Sequence, residues 1–76
     1  MNKEEALVMI TNEYLKASLK FPKFNSPHEG IAVIKEEYDE LWDEIKKKKS
    51  RRDTTKMRNE AKQVAAMAMR FMVDLT

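Results

Sequence analysis

The sequence contains no cysteine, one glycine and two prolines in 76 residues. Without cysteine the fold cannot depend on disulfides, and this composition is typical of proteins from reducing compartments. The scarcity of glycine and proline leaves few sites for tight turns between strands, which argues against a β-rich fold. Strong helix formers, mainly lysine, glutamate, alanine and methionine, are abundant instead and predict an all-α protein.

Long apolar runs are also missing. No stretch approaches the roughly 18 consecutive apolar residues of a membrane-spanning helix, and the first residues, Met-Asn-Lys-Glu-Glu, lack the layout of a signal peptide. We therefore expect a cytoplasmic protein without membrane contacts. Basic and acidic residues nearly balance, at 15 and 13, so the net charge of +2 does not favour nucleic acid as a partner.

The length of the chain predicts one domain, residues 1–76. Domains this short bury a small share of their surface, and many depend on a metal or on a second subunit for stability. We therefore expect a homo-oligomer, either a dimer or a tetramer, in which subunits together complete a helical bundle.

Apolar periodicity, and the residues that interrupt it, predict three helices over residues 3–20, 27–48 and 54–75. Ser26 is the expected N-cap of the second helix, with Pro27 at its first position, and Asp53 or Thr54 should cap the third. The second helix carries an apolar stripe that Trp42 widens, made of Ile31, Ile34, Tyr38, Leu41 and Ile45.

The first and third helices are apolar on two sides. On the first helix, Val8, Leu15 and Leu19 form a stripe opposite the one that includes Ile10 and Ala17. A helix with two apolar sides needs two neighbours to cover them. This pattern strengthens the expectation that a second subunit contributes to the bundle.

An acidic row accompanies the apolar stripe of the second helix, where Glu37, Glu40 and Glu44 fall on one side. Like charges at this spacing repel one another unless a cation lies between them or water solvates them. A solvated acidic face is the alternative interpretation, and it is the commonest fate of such a row.

The third helix favours the cation, because Glu60 lies within its apolar stripe and Gln63 lies at the edge of the same face. A carboxylate on a buried face is costly without a partner. The short connector predicts antiparallel packing of the second and third helices, so Glu37 and Glu40 should face Glu60 and Gln63. Oxygen ligands of this kind suit Mg²⁺ or Mn²⁺.

The same residues carry a family resemblance. Residues 36–40, Glu-Glu-Tyr-Asp-Glu, resemble the EExxE half of the motif of MazG-like, all-α nucleotide pyrophosphohydrolases, and residues 60–63, Glu-Ala-Lys-Gln, approximate its ExxD half. The resemblance implies a MazG-like helical bundle, usually assembled from dimers and dependent on a metal. It also implies hydrolysis of a nucleoside triphosphate to a monophosphate and pyrophosphate.

Carried over by position, the resemblance implies that Glu37, Glu40 and Glu60 are metal ligands and that Gln63 replaces the aspartate of the family. Glu36 would be an accessory catalytic carboxylate beside Glu37, orienting a water molecule. A glutamine can ligate a metal through its amide oxygen, but it brings no charge and cannot act as a base. The chain also lacks the fourth helix of the family, so a neighbouring subunit would have to complete the bundle.

Four further residues are candidates for contacting a nucleotide. His28 at the start of the second helix could reach a phosphate, because helix N-termini attract anions, and Phe24 could stack on a base. Arg70 and Asp74 share the side of the third helix that carries Gln63. Their alternative role is an ordinary ion pair between residues four apart.

The sequence therefore supports a magnesium-dependent nucleotide pyrophosphohydrolase as the first hypothesis. The second is a nucleotide-binding protein without catalysis, such as a phage protein that sequesters a nucleotide defence signal, because Gln63 and the missing helix weaken the catalytic set. The third is a structural helical oligomer with a solvated acidic row. DNA binding through the basic run 46–52 ranks below these, because no recognition helix is evident.

Overall fold

The computed structural model describes residues 1–76 as three α-helices without strands. Helix α1 spans Lys3–Lys20, α2 spans Pro27–Ile45 and α3 spans Thr54–Leu75, with a 3-10 turn at Lys49–Arg51 between α2 and α3. The predicted all-α class is confirmed, and the first and third helices have the predicted bounds. None of the helices combines the length and the apolar character that a membrane crossing requires.

Each helix begins at a side-chain cap that the local sequence supplies. Asn2 and Glu5 form a capping box on α1, in which each side chain accepts a hydrogen bond from the backbone amide of the other. The Ser26 hydroxyl accepts from the backbone amide of Glu29 at 3.1 Å, and Asp53 accepts from two amides in the first turn of α3. These caps satisfy amides that lack partners within the helix.

Helix α2 ends at Ile45, so the predicted end at residue 48 was wrong by three residues. The side chain of Arg52 reaches back and donates to the carbonyl oxygen of Ile45 at 2.9 Å. This bond satisfies one of the carbonyls that a helix leaves unpaired at its end. The basic run then crosses to α3 through the 3-10 turn, and Lys46 and Lys47 pair with Asp43 and Glu44.

Helix α3 lies in the middle of the molecule and packs against both α1 and α2, whereas α1 and α2 do not pack against each other. The core that α3 organises is small, because only 6 of 76 residues are buried. Its apolar members are Ala17, Phe24, Ala66 and Met67. The separation of α1 from α2 leaves a cavity between them, and α3 forms its floor.

Several large apolar side chains that the helical pattern assigns to packing faces lie at the surface. Trp42 is 51% exposed and Leu19 is 90% exposed, although both belong to predicted apolar stripes. The position of Trp42 on an apolar stripe predicts that it packs in the core. In the single chain this prediction is wrong, because α3 covers only one side of the broad apolar surface of α2. Oligomerisation, which would cover more of this surface, stays a prediction.

Candidate functional site

Three carboxylates from two helices meet beside the cavity. Glu37 and Glu40 lie one turn apart on α2, and Glu60 projects toward them from α3. One carboxylate oxygen from each residue lies within 4.8 Å of the others. The predicted convergence of the acidic row with Glu60 is therefore present in the structure, and we refer to these three residues as the acidic cluster.

The surroundings of Glu37 disfavour its ionised form. Burial, followed by repulsion from Glu40, raises the pKa of Glu37 to about 7, and a hydrogen bond with Glu40 and repulsion from Glu60 act in the same direction. One Glu37 oxygen, Oε2, is buried and has no hydrogen-bond partner. Burial and repulsion from Glu40 also raise the pKa of Glu60, although Lys62 opposes this shift.

The donor set of the acidic cluster fits a divalent cation of the Mg²⁺ or Mn²⁺ type. Carboxylate oxygens are the ligands these ions prefer. The unpartnered Glu37 oxygen and the mutual repulsion of Glu37, Glu40 and Glu60 are both features that a cation would relieve. Without one, part of the cluster must stay protonated near neutral pH.

Glu13 on α1 adds a carboxylate that the sequence analysis missed. Its Oε1 accepts a hydrogen bond of 2.8 Å from the Gln63 amide, and its Oε2 lies 3.6 Å from the ammonium group of Lys62. The signal was present, because Glu13 lies three residues after Ile10 and four before Ala17, on the side of α1 that faces α3. The pattern that predicts a partner for Glu60 therefore also marks Glu13, although the second apolar stripe of α1 leaves open which side of that helix faces α3.

The cavity between α1 and α2 has a volume of about 520 Å³ and reaches the acidic cluster at Glu37. Its lining carries four carboxylates and three cationic side chains. The charged members are Glu13, Glu29, Glu36, Glu37, Lys16, Lys20 and Arg70. Aromatic rings of Phe21 and Phe24 close the end away from the acidic cluster. A cavity of this size is in the range that accommodates small-molecule ligands.

Arg70 fastens the loop between α1 and α2 onto α3. The guanidinium group donates to the carbonyl oxygen of Pro22 at 2.7 Å and lies 4.4 Å from the centre of the Phe24 ring. It also pairs with Asp74 at 4.0 Å, and Asp74 accepts a hydrogen bond of 3.1 Å from the backbone amide of Phe24. The ion pair that the sequence offered as an alternative is therefore present and buried.

The structure brings only some of the predicted substrate-binding residues to the cavity. Arg70 and Phe24 line it, but Phe24 is 7% exposed and so offers little surface for stacking. Asp74 lies behind Arg70 and is absent from the cavity wall, and His28 is exposed in the first turn of α2, also away from the wall. The predicted ligand roles of His28 and Asp74 gain no support from this arrangement.

Comparison with known proteins returns no relative: no family model, curated protein or solved structure matches this chain. The MazG-like resemblance therefore depends on the motif residues alone and stays a prediction.

Proposed function

We propose that the protein is a metal-dependent nucleotide pyrophosphohydrolase that converts a nucleoside triphosphate to a monophosphate and pyrophosphate. One observation carries the proposal: Glu37, Glu40 and Glu60 converge within 4.8 Å beside a cavity of about 520 Å³. The resemblance of residues 36–40 and 60–63 to the MazG-like motif supports the same function.

Glu37, Glu40 and Glu60 would hold the divalent cation, with the amide oxygen of Gln63 as a neutral ligand. A bound cation neutralises phosphate charge and makes a coordinated water more acidic. The cavity lining carries one more carboxylate than cationic groups, so a triphosphate would be repelled if it entered alone. Nucleotide binding is therefore expected to require the metal.

Hydrolysis requires a water oxygen to bond to the α-phosphorus while the bond to the bridging oxygen of the leaving pyrophosphate breaks. The proton that the water loses must pass to a base. Glu36 is exposed at the cavity wall and close enough to Glu37 to raise its pKa. We assign Glu36 as the acceptor, with Glu37 holding the water or sharing its proton.

The opposite end of the cavity offers contacts to the rest of the nucleotide. Lys20 and Arg70 supply positive charge there, and Lys16 adds a third cationic group to the lining beside Glu13. Phe21 is 51% exposed, so its ring offers more stacking surface to a base than the buried ring of Phe24. Of these two rings, Phe21 is therefore the better stacking candidate.

The proposal is tested by incubating the protein with nucleoside and deoxynucleoside triphosphates and Mg²⁺ and measuring pyrophosphate release. We expect turnover of at least one nucleotide, loss of turnover in Glu40→Gln, and near-normal turnover in Asp43→Asn. The Asp43 variant is a matched control, because it removes one carboxylate from the same helix at an exposed ion pair outside the cluster. Absence of both turnover and metal-dependent nucleotide binding would contradict the proposal.

A second candidate is a nucleotide-binding protein without catalysis, such as a phage protein that sequesters a nucleotide signal. The engagement of Gln63 with Glu13 favours it, because position 63 then contributes neither charge nor a base. Calorimetry with Mg²⁺ and nucleotide, followed by chromatography of the ligand, separates the two functions. Tight binding with intact ligand recovered supports the binding protein, and recovery of monophosphate supports the enzyme.

A further inference from the structure

The side chain of Gln63 lies on the floor of the cavity, with carboxylates on both walls. Glu13 lines the cavity from α1 and Glu37 lines it from α2. Gln63 also follows Glu60 by three residues, a spacing that places both side chains on one side of α3. The amide of Gln63 therefore has Glu13 on one side and the acidic cluster on the other.

The hydrogen bond to Glu13 determines which end of the Gln63 amide faces α1. The Nε2 atom of Gln63 donates to the Oε1 atom of Glu13 at 2.8 Å. An ionised carboxylate accepts hydrogen bonds but cannot donate them, so the amide nitrogen, and not the amide oxygen, faces Glu13. Because the two amide atoms leave the same carbon in different directions, the oxygen is turned away from Glu13. That oxygen is the atom of Gln63 that can ligate a cation.

The carboxylate of Glu13 is itself held in place. Its side chain is only 13% exposed, and its Oε2 atom lies 3.6 Å from the ammonium group of Lys62 and 4.0 Å from that of Lys16. Lys62 is on α3 and Lys16 is on α1, so Glu13 has partners on both helices. A side chain that is already restricted loses little further freedom when it holds the amide in one orientation.

We propose that Glu13 is a positioning residue that holds the Gln63 amide with its oxygen directed toward a cation bound by the acidic cluster. The inference rests on the proposed function, because it assigns Glu13 a role toward that cation. Either oxygen of an aspartate could ligate the cation, whereas an amide has one oxygen and needs a partner that fixes its orientation. Partners that orient a metal ligand typically contribute about ten- to hundredfold to metal affinity.

Calorimetric titration of the full chain with Mn²⁺ tests whether Glu13 acts through Gln63. We expect Glu13→Ala and Gln63→Ala each to weaken Mn²⁺ binding about tenfold, and the double variant to bind no more weakly than either single variant. Glu4→Ala is the matched control, because it removes a carboxylate from the exposed first turn of the same helix, and it should leave the affinity unchanged. Effects of the two single variants that multiply in the double variant overturn the proposal.

An aspartate at position 63 separates orientation from charge. In Gln63→Asp either carboxylate oxygen can face the metal, so adding Glu13→Ala should leave Mn²⁺ affinity unchanged or raise it. If Glu13 acted only by attracting the cation through space, its removal would weaken binding in the Gln63→Asp protein as well as in the parent. Weaker binding in both proteins therefore overturns the proposal.

Gln63 is the one glutamine of the chain, so nitrogen-isotope labelling of glutamine gives a single side-chain amide to follow by magnetic resonance. Adding Mg²⁺ should shift this amide signal in the parent protein, because a metal polarises the carbonyl group that it binds. The shift should be much smaller in Glu13→Ala. Circular dichroism checks folding, and if Glu13→Ala is unfolded, the signal of the unaltered chain decides, since its failure to shift overturns the proposal.

The same measurements distinguish failure of this inference from failure of the proposed function. If the parent protein does not bind Mn²⁺, both are overturned. If Glu40→Gln abolishes Mn²⁺ binding while Glu13→Ala leaves both the affinity and the Gln63 signal unchanged, the metal site stands and only the role of Glu13 is overturned.

Discussion

The side-chain amide of Gln63 on α3 donates a hydrogen bond of 2.8 Å to the carboxylate of Glu13 on α1, one turn along α3 from Glu60. This is the position at which the sequence departs from the ExxD pattern. A neutral amide can face Glu13 and donate to it, whereas an aspartate would place two carboxylates together. The glutamine therefore links α1 to α3 beside the acidic cluster at the expense of a charged metal ligand.

Gln63→Asp should lower the stability of the metal-free protein and raise its affinity for a divalent metal. Without metal at about pH 8, we expect the free energy of unfolding to fall by about 1–2 kcal/mol, because a hydrogen bond is lost and a like charge is added. Mg²⁺ should narrow this difference, and urea denaturation with and without the metal measures it. Adding Glu13→Gln to this variant should restore most of the lost stability. If Gln63→Asp is as stable as the parent protein in the presence of a chelator, repulsion between residues 13 and 63 is contradicted.

The stability of the metal-free protein should fall as pH rises through the range in which Glu37 titrates. Burial and repulsion from Glu40 raise the pKa of Glu37 to about 7 from an ordinary value of 4.5. Between these values the folded state holds a proton that the unfolded state has lost, so rising pH favours unfolding. We expect a loss on the order of 1 kcal/mol from about pH 5 to pH 8, reduced by solvent screening of the partly exposed group.

Thermal or urea denaturation at several pH values measures this slope. Glu37→Gln should flatten it, because the neutral amide does not titrate, whereas Glu4→Gln in the exposed first turn of α1 should leave it unchanged. An unaltered slope in Glu37→Gln would assign the pH dependence to another group.

Metal binding should release protons near neutral pH, because the cation and the proton compete for the same carboxylates. We expect up to about one proton to leave when Mn²⁺ binds at about pH 6.5, and fewer at about pH 8 where Glu37 is already ionised. Calorimetry in two buffers of different ionisation enthalpy counts the protons. Equal heats in both buffers at the lower pH would show that the metal does not displace a proton from Glu37.

The parts of the fold that depend on local chemistry could be predicted from the sequence. The Ser26 cap and Pro27 define the start of α2 within a few residues, and Asp53 does so for α3. The end of α2 could not be predicted, because it depends on Arg52 reaching back to the carbonyl of Ile45 across the connector.

The residues of the candidate site could also be predicted only in part. Glu60 could be predicted because a carboxylate within an apolar stripe needs a partner such as a cation, and antiparallel packing predicted that Glu60 would face the acidic row on α2. The second apolar stripe of α1 left its inward side ambiguous, so Glu13 was missed. The exposed Trp42 shows the same limit, because a helical pattern identifies apolar sides but not how many of them one chain can cover.

Arg70→Lys should destabilise the protein by about 2–3 kcal/mol. Lysine cannot reproduce the fork that donates to the carbonyl of Pro22 while pairing with Asp74, and both charged side chains are buried. Removing part of a buried network leaves groups unsatisfied. Denaturation measures the loss, and Arg58→Lys on the exposed surface of α3 is the control, expected to change stability by less than about 0.5 kcal/mol.

Gly30→Ala should destabilise the protein although the same change usually strengthens a helix. Alanine in a helix interior is favoured over glycine by about 1 kcal/mol, but a Cβ at residue 30 would lie 2.6 Å from a ring carbon of Phe71 and 3.1 Å from a methyl carbon of Leu75. Forcing α2 and α3 apart at this contact costs about 1–3 kcal/mol, and we expect the clash to exceed the gain in helix propensity.

The reverse change at a neighbouring position separates the two effects. Ala32→Gly, exposed on the same helix, should cost only the propensity difference of about 1 kcal/mol. Phe71→Leu in the Gly30→Ala background should recover part of the loss, because a smaller side chain makes room for the methyl group. A Gly30→Ala protein more stable than its parent in urea denaturation would mean that α2 and α3 do not approach this closely, and the convergence of Glu37 and Glu40 with Glu60 on the same pair of helices would then lose its structural basis.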